Sequence, residues 1–149
     1  MTTNKINEND IEELLDKGIS RREIENLSQK GFTKNEIVDA KKYNDEIEKY
    51  ATEYMISPNI MYALVRSESF FDPNIKSAVG AVGLTQLMEF TASDVARKLK
   101  LTDYSLVDVE TNLHIGTYYL AELLHRCDNS LLQASFSYNA GITRVRRWL

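Results

Sequence analysis

The chain has 149 residues, 43% hydrophobic and 27% charged, which is ordinary globular composition and enough for one domain with a modest core. A net charge of −4 gives none of the basic footprint of a nucleic-acid binder, and no apolar run approaches the length that spans a bilayer. The lone cysteine, Cys127, excludes an internal disulfide, and only two prolines argue against long Pro-rich linkers.

Met1 to Asn9 is polar and lacks the apolar stretch of a signal peptide, so either the protein stays in the cytoplasm or an export signal lies outside this chain. Residues 1–40 read as a helical lead-in holding a two-copy repeat offset by 13 residues. Ile11-Glu12-Glu13-Leu14, closed by Gly18, returns as Ile24-Glu25-Asn26-Leu27, closed by Gly31. Ser20 with Glu23 and Thr33 with Glu36 have the spacing of capping boxes. The pattern predicts short helices joined by tight corners and carrying no chemistry. The sharper reading is a docking element, for a protein partner the sequence does not name.

Residues 41–149 are more apolar. Tyr43 to Tyr54 carries Ile47, Tyr50, Ala51 and Tyr54 on one helical face. Ser57-Pro58 predicts an N-cap and first helical residue, with the helix running to about Phe70. Asp72-Pro73-Asn74 is a predicted turn, and residues 75–84 an ordered loop. Gly83 is expected to open a helix carrying Gln86 and Met88, and Thr91 with Asp94 to cap the next. Asp108 caps a long helix with Leu113, Tyr119, Leu120, Leu123 and Leu124; Ser130 opens another that ends at Tyr138-Asn139-Ala140-Gly141; Thr143 starts a last one. Cys127, at helical spacing from Leu120, Leu123 and Leu124, is expected to be a small buried apolar residue. No stretch alternates with period two, so the fold class is all-α.

Glu68 carries the chemical argument. It follows Leu64 by four residues and falls within the arc of Ile60, Met61, Leu64 and Phe71, with Arg66 pointing away. A carboxyl on an apolar face loses hydration, which raises its pKa and suits it to act as a general acid. A Glu at the rim of such a face, reaching to water, is the ordinary structural alternative.

From Glu68 the chain reads Glu-Ser-Phe-Phe, then Ser77-Ala78-Val79-Gly80-Ala81-Val82-Gly83-Leu84-Thr85-Gln86-Leu87-Met88, then Thr91-Ala92. Asn112-Leu113-His114-Ile115-Gly116 with Tyr119-Leu120, and Ser137-Tyr138-Asn139-Ala140-Gly141 with Arg144, Val145 and Trp148, follow in order. Together these blocks, within residues 43–149, resemble the soluble lytic transglycosylase catalytic domain. The resemblance implies a lysozyme-like α-helical fold with a cleft for a sugar chain, and Glu68 as catalytic acid/base. It implies that Ser77 and Gln86 line the cleft, that Met88 packs under bound sugar, that the Tyr138 hydroxyl reaches the catalytic carboxyl, and that Asn139 lies near the substrate N-acetyl group. Plainer readings stand beside these: Ser77 as a loop cap, Gln86 as a partner of nearby backbone, Met88 and Tyr138 as core. The sequence departs from the family's pattern at Thr85, where Met is usual, at Glu89, where Pro is usual, and at Leu149, where relatives continue.

The resemblance further implies cleavage of peptidoglycan glycan strands in the periplasm or cell envelope, with formation of 1,6-anhydro-N-acetylmuramic acid and no cofactor. A metal is not expected, since His114 and His125 lie eleven residues apart without a ligand cluster. The alternatives are a goose-type lysozyme-like hydrolase, with Glu89 the nearby second acid, or a non-catalytic glycan-binding or assembly module. The apolar stripe of Val145, Trp148 and Leu149 is expected to pack on the domain, and the parent gene to continue beyond it with an export signal upstream.

Overall fold

The computed structural model describes residues 6–140; the expected helix from Thr143, with Val145 and Trp148, lies outside them. Seven helices and no strand are present among the described residues, as the absence of period-two patterning predicts. They are α1 (Glu8–Asp16), α2 (Arg21–Gln29), α3 (Lys34–Glu53), α4 (Pro58–Ser69), α5 (Glu89–Lys98), α6 (Val109–Arg126) and α7 (Leu131–Ala140). The chain divides into two compact units, and the boundary falls inside α3, between Asp45 and Glu46.

In the first unit the repeat becomes geometry. Both predicted capping boxes form: Ser20 and Glu23 exchange side-chain bonds with each other's backbone, as do Thr33 and Glu36. A third box, Asn7 with Asp10, starts α1. Gly18 and Gly31 adopt φ of +86° and +89°, and the backbone bonds of the Schellman motif follow at both corners. Ile19 N–H donates to Leu14 C=O in the first, and Phe32 N–H to Leu27 C=O in the second. Leu14, Ile19, Ile24, Phe32 and Ile37 are buried as a result.

The helices expected from Thr33 and from Tyr43 are one continuous 20-residue helix, α3. No Gly, Pro or unsatisfied cap interrupts the sequence between them, so nothing stops the first helix. In the second unit Ile47, Tyr50 and Ala51 are buried, as their spacing predicts. Tyr50 stacks on the His114 ring of α6 at 4.4 Å and donates to Glu110 at 2.7 Å, while the Tyr54 hydroxyl meets His114 Nε2 at 2.7 Å. His114 is thus occupied structurally, and His125 is exposed. Cys127 is half-buried rather than buried, because α6 ends on it.

α6 packs against both α5 and α7. Leu87, Ala92, Val95, Ala96, Leu106 and Ile115 form one buried cluster between the α5 region and α6. The stretch from Gly83 is not the expected helix. Val82 and Leu87 exchange both backbone bonds at 2.9 and 3.0 Å, and Gln86 N–H closes onto Gly83 C=O, making a four-residue turn with Gln86 at φ +51°. The N–H of Thr85, which a helix would use for its own ladder, is taken by Asn112 of α6. Helix α5 then starts at Glu89, two residues before the expected cap, with Met88 as N-cap. Thr91 lies inside the first turn of α5.

One helix glycine carries this packing. A Cβ on Gly116 would lie 2.7 Å from Thr85 Cβ, well inside contact distance. Gly116→Ala is expected to destabilise the fold by about 1–3 kcal/mol, the cost of overpacking outweighing the gain in helix propensity of about 1 kcal/mol. Urea unfolding checks it.

Candidate active site

Helix α4 starts as the sequence predicts, with Pro58 in its first turn, although the Ser57 side chain makes no capping bond. The apolar arc expected on this helix is two faces. Met61, Val65 and Ser69, spaced four apart, are fully buried and face the core. Ile60, Leu64 and Glu68, also spaced four apart, are half-buried and line a cavity of about 350 Å³. Phe71 lies beyond the helix end. Ser69 donates back to Val65 C=O at 2.9 Å, and α4 then stops on two successive left-handed residues, Phe70 (φ +50°) and Phe71 (φ +62°). Each costs about 1 kcal/mol for a residue with a Cβ. Burying the Phe71 side chain, which is 1% exposed, offsets this by about 2 kcal/mol.

The cavity is walled by α4, by Leu120 of α6 and by Leu131, Ser135, Tyr138 and Asn139 of α7. Apolar groups dominate it, with Asn59, Ser67, Ser135 and Asn139 as polar edges. Glu68 is the one carboxyl among its described lining residues. Burial pushes the Glu68 pKa upward. Burial likewise pushes the Tyr138 phenol well above its ordinary value, and the nearby Glu68 carboxyl adds to the effect. The Tyr119 ring lies 5.2 Å behind that of Tyr138.

Of the six residues singled out in the sequence, the structure brings three together at this cavity: Glu68, Tyr138 and Asn139. Asn139 is exposed, and its amide donates to Ser135 C=O at 3.2 Å. The Tyr138 hydroxyl donates to the backbone carbonyl of Thr85 at 2.9 Å. Ser77, Gln86 and Met88 are not among the lining residues. Ser77 Oγ accepts from Ala81 N–H at 3.1 Å and closes the loop. Gln86 Nε2 donates to Ile75 and Gly83 carbonyls at 3.3 and 3.2 Å. Met88 is the half-buried N-cap of α5.

Asn112 and Thr85 received no role from the sequence, yet they hold the Tyr138 acceptor in place. Asn112 is 1% exposed and its amide is fully used. Its Oδ1 accepts from Thr85 N–H at 2.9 Å and Thr85 Oγ1 at 2.6 Å; its Nδ2 donates to Val82 and Leu106 carbonyls at 3.0 and 2.8 Å. Gly83 (φ +81°) leaves the room this needs, since a Cβ there would lie 2.6 Å from Leu106 O and would overlap the Asn112 amide. The signal in the sequence was a polar residue four positions before a glycine on an otherwise apolar face of α6.

An all-helical domain with one desolvated carboxyl in a side cavity is the architecture of the lysozyme-like sugar-cleaving folds. The chain belongs to the Transglycosylase SLT domain family, whose model matches residues 45–149. It is 40% identical over 111 residues to the soluble lytic murein transglycosylase of Salmonella typhimurium, an alignment covering 72% of this chain and 17% of that protein. The crystal structure of the 70 kDa soluble lytic transglycosylase from Escherichia coli superposes with a TM-score of 0.67 at 40% identity, over 72% of this chain and 18% of the other. A structure of the 70 kDa soluble lytic transglycosylase in complex with bulgecin A gives 0.70 at 36% identity, over 83% and 21%. The chain therefore spans about a sixth to a fifth of the length of these relatives.

The upward shift of Glu68 has a thermodynamic consequence. The folded protein holds this proton more tightly than the unfolded chain, so the burial penalty is absent at low pH and grows as pH rises through the folded pKa. Glu68→Gln removes the ionising group. It is expected to raise the melting temperature at pH 7, with the gain vanishing below the ordinary carboxylate range, about pH 4. Calorimetry across that range checks the sign.

Proposed function

We propose that this chain cleaves the glycan strands of peptidoglycan without water, at the bond between N-acetylmuramic acid and N-acetylglucosamine, with Glu68 as both acid and base. The observation that carries this reading is the half-buried Glu68 in a largely apolar cavity whose described lining holds no other carboxyl. The names of the similar proteins, lytic murein transglycosylases, supply the substrate class.

The protonated Glu68 donates to the bridging glycosidic oxygen as the bond from that oxygen to the muramic acid C1 breaks. The sugar cation is stabilised by the substrate's own N-acetyl carbonyl. The Glu68 carboxylate then takes the proton of the C6 hydroxyl as O6 bonds to C1, closing the 1,6-anhydro ring and restoring the acid. The attacking hydroxyl belongs to the same sugar, so its effective concentration replaces a positioned water. A hydrolase acting by two carboxylates needs a second one across the cleft. The lining favours the single-carboxylate route. Tyr138 and Asn139, on the facing helix, are suited to orient the acid and the N-acetyl group.

Such a substrate places the protein's work in the periplasm or cell envelope. Among the described residues no helix is long and apolar enough to cross a membrane.

Digestion of peptidoglycan followed by mass spectrometry is expected to give muropeptides ending in 1,6-anhydro-N-acetylmuramic acid, and Glu68→Gln to abolish them, since an amide cannot donate the proton. Products with reducing ends only would establish hydrolysis instead.

Tyr138→Phe is expected to keep the fold and lower turnover by roughly 10- to 1000-fold, the range of losing a group that orients a general acid. Steady-state kinetics with circular dichroism separates this from a core role, which would leave the rate unchanged and lower the melting temperature.

A further inference from the structure

Helix α6 makes contacts on two sides. Asn112 and Gly116 meet Thr85 of the Val82–Leu87 turn, and Leu120 lines the cavity. Glu110, His114 and Tyr118, also spaced four apart, meet Tyr50 of α3 and Tyr54 just beyond its end. This seam lies within the second unit. The half-buried His114 ring lies nearly parallel to that of Tyr50, with centroids 4.4 Å apart. Its Nε2 is 2.7 Å from the Tyr54 hydroxyl, and the Tyr54 ring meets Tyr118 edge-on at 5.4 Å. Glu110 Oε1 accepts from the Tyr50 hydroxyl at 2.7 Å and from the Lys49 ammonium at 3.5 Å. The imidazole is thus bonded to a neutral phenol, while the carboxylate one turn before it on α6 is engaged by other donors.

We propose that this seam is an acid-sensitive joint: it closes on the neutral ring of His114 and loosens when that ring takes up a proton. A ring that stacks on Tyr50 and bonds to Tyr54 gives up water, a loss that a cation feels far more than a neutral imidazole. The titratable and charged groups around it are Lys49, Tyr50, Glu53 and Tyr54 from the α3 side and Glu110 and Tyr118 from α6. Burial lowers the His114 pKa; Glu53 and Glu110 pull against that shift, and Lys49 adds to it. Both carboxylates are exposed, so water screens their pull. The folded protein therefore holds this proton less tightly than the unfolded chain. The stability that neutral His114 supports is present above the ordinary histidine value of about 6.5 and is lost as pH falls through the lower folded value. The joint stands whether or not Glu68 is the catalytic acid.

Proton NMR of the full chain can follow both histidine rings from about pH 8 to about pH 5, with His114 assigned through its contacts with the Tyr50 ring. The His114 midpoint is expected below the ordinary histidine value, with the Tyr50 and Tyr54 ring signals shifting in step. Amide hydrogen exchange over the same range is expected to show residues 46–53 losing protection relative to α5 as His114 becomes charged. Thermal unfolding is read in the Glu68→Gln background, which removes that carboxyl's opposing contribution. There the melting temperature is expected to fall by about 2–4 °C between the two ends of the range, a readable change for a chain of this length. His114→Gln, which does not titrate and keeps a polar group toward Tyr54, should flatten that fall. His114→Phe, which keeps a stacked ring, should do the same if the first variant fails to fold. His125→Gln should leave the fall in place. A fall that survives in a folded His114 variant overturns the proposal, as does a His114 midpoint at or above the ordinary value. Protection of residues 46–53 that does not change with pH overturns it too, and the titration and exchange are read on the wild-type chain without any variant.

Discussion

The second unit is organised around a saturated side-chain amide. Asn112, buried on α6, uses both its protons and both its oxygen lone pairs within the protein. Leaving any of these groups unpaired in the interior would cost about 1–3 kcal/mol, so the four partners must be present together. Satisfying them requires the Val82–Leu87 turn to approach α6 closely, which in turn requires glycine at 83 and 116. The turn geometry, the start of α5 and the acceptor for Tyr138 all follow from that approach.

The same constraint bears on the cavity. A carboxyl with a raised pKa needs low solvation, and α4 supplies it by setting Glu68 one turn beyond Leu64 on the side that does not enter the core. A fully buried position would hide the group from any ligand, and an exposed one would leave it ionised. The half-buried position between these extremes comes from α4 presenting Met61 and Val65 to the core and Ile60 and Leu64 to the cavity. Helix α7 closes the opposite side with Tyr138, whose orientation is tied back through Thr85 to α6. Helices α6 and α7 are thereby coupled by hydrogen bonds through the Val82–Leu87 turn. Family membership agrees with this economy, since the match covers residues 45–149 and takes in all of these elements.

Helix ends show where local rules stop. Gly18 and Gly31 mark two corners that can be read directly from the chain. The same Schellman bonding closes α3, α5 and α6 with Met55, Lys100 and Asp128 in the left-handed position. No glycine announces those three. Each is followed by a residue, Ile56, Leu101 or Asn129, whose N–H returns to a carbonyl of the last turn. At Ile56, burial of the side chain accompanies that return.

What the sequence determined by itself is what arises between near neighbours. Capping boxes three residues apart, apolar residues four apart and the repeat of residues 11–37 gave the helical class, the short helices of the first unit and the placing of Glu68 one turn from Leu64. The three motif blocks gave the family. The tertiary structure decided which apolar stripe of α4 is core and which is cavity wall, that Gly83 to Gln86 turns instead of coiling, and which acceptor receives the Tyr138 proton. Those outcomes depend on partners 27 residues apart for Thr85 and Asn112 and 53 apart for Thr85 and Tyr138. A local pattern carries no information about such partners, because the energy of an unpaired buried amide appears only once the chain has folded around it.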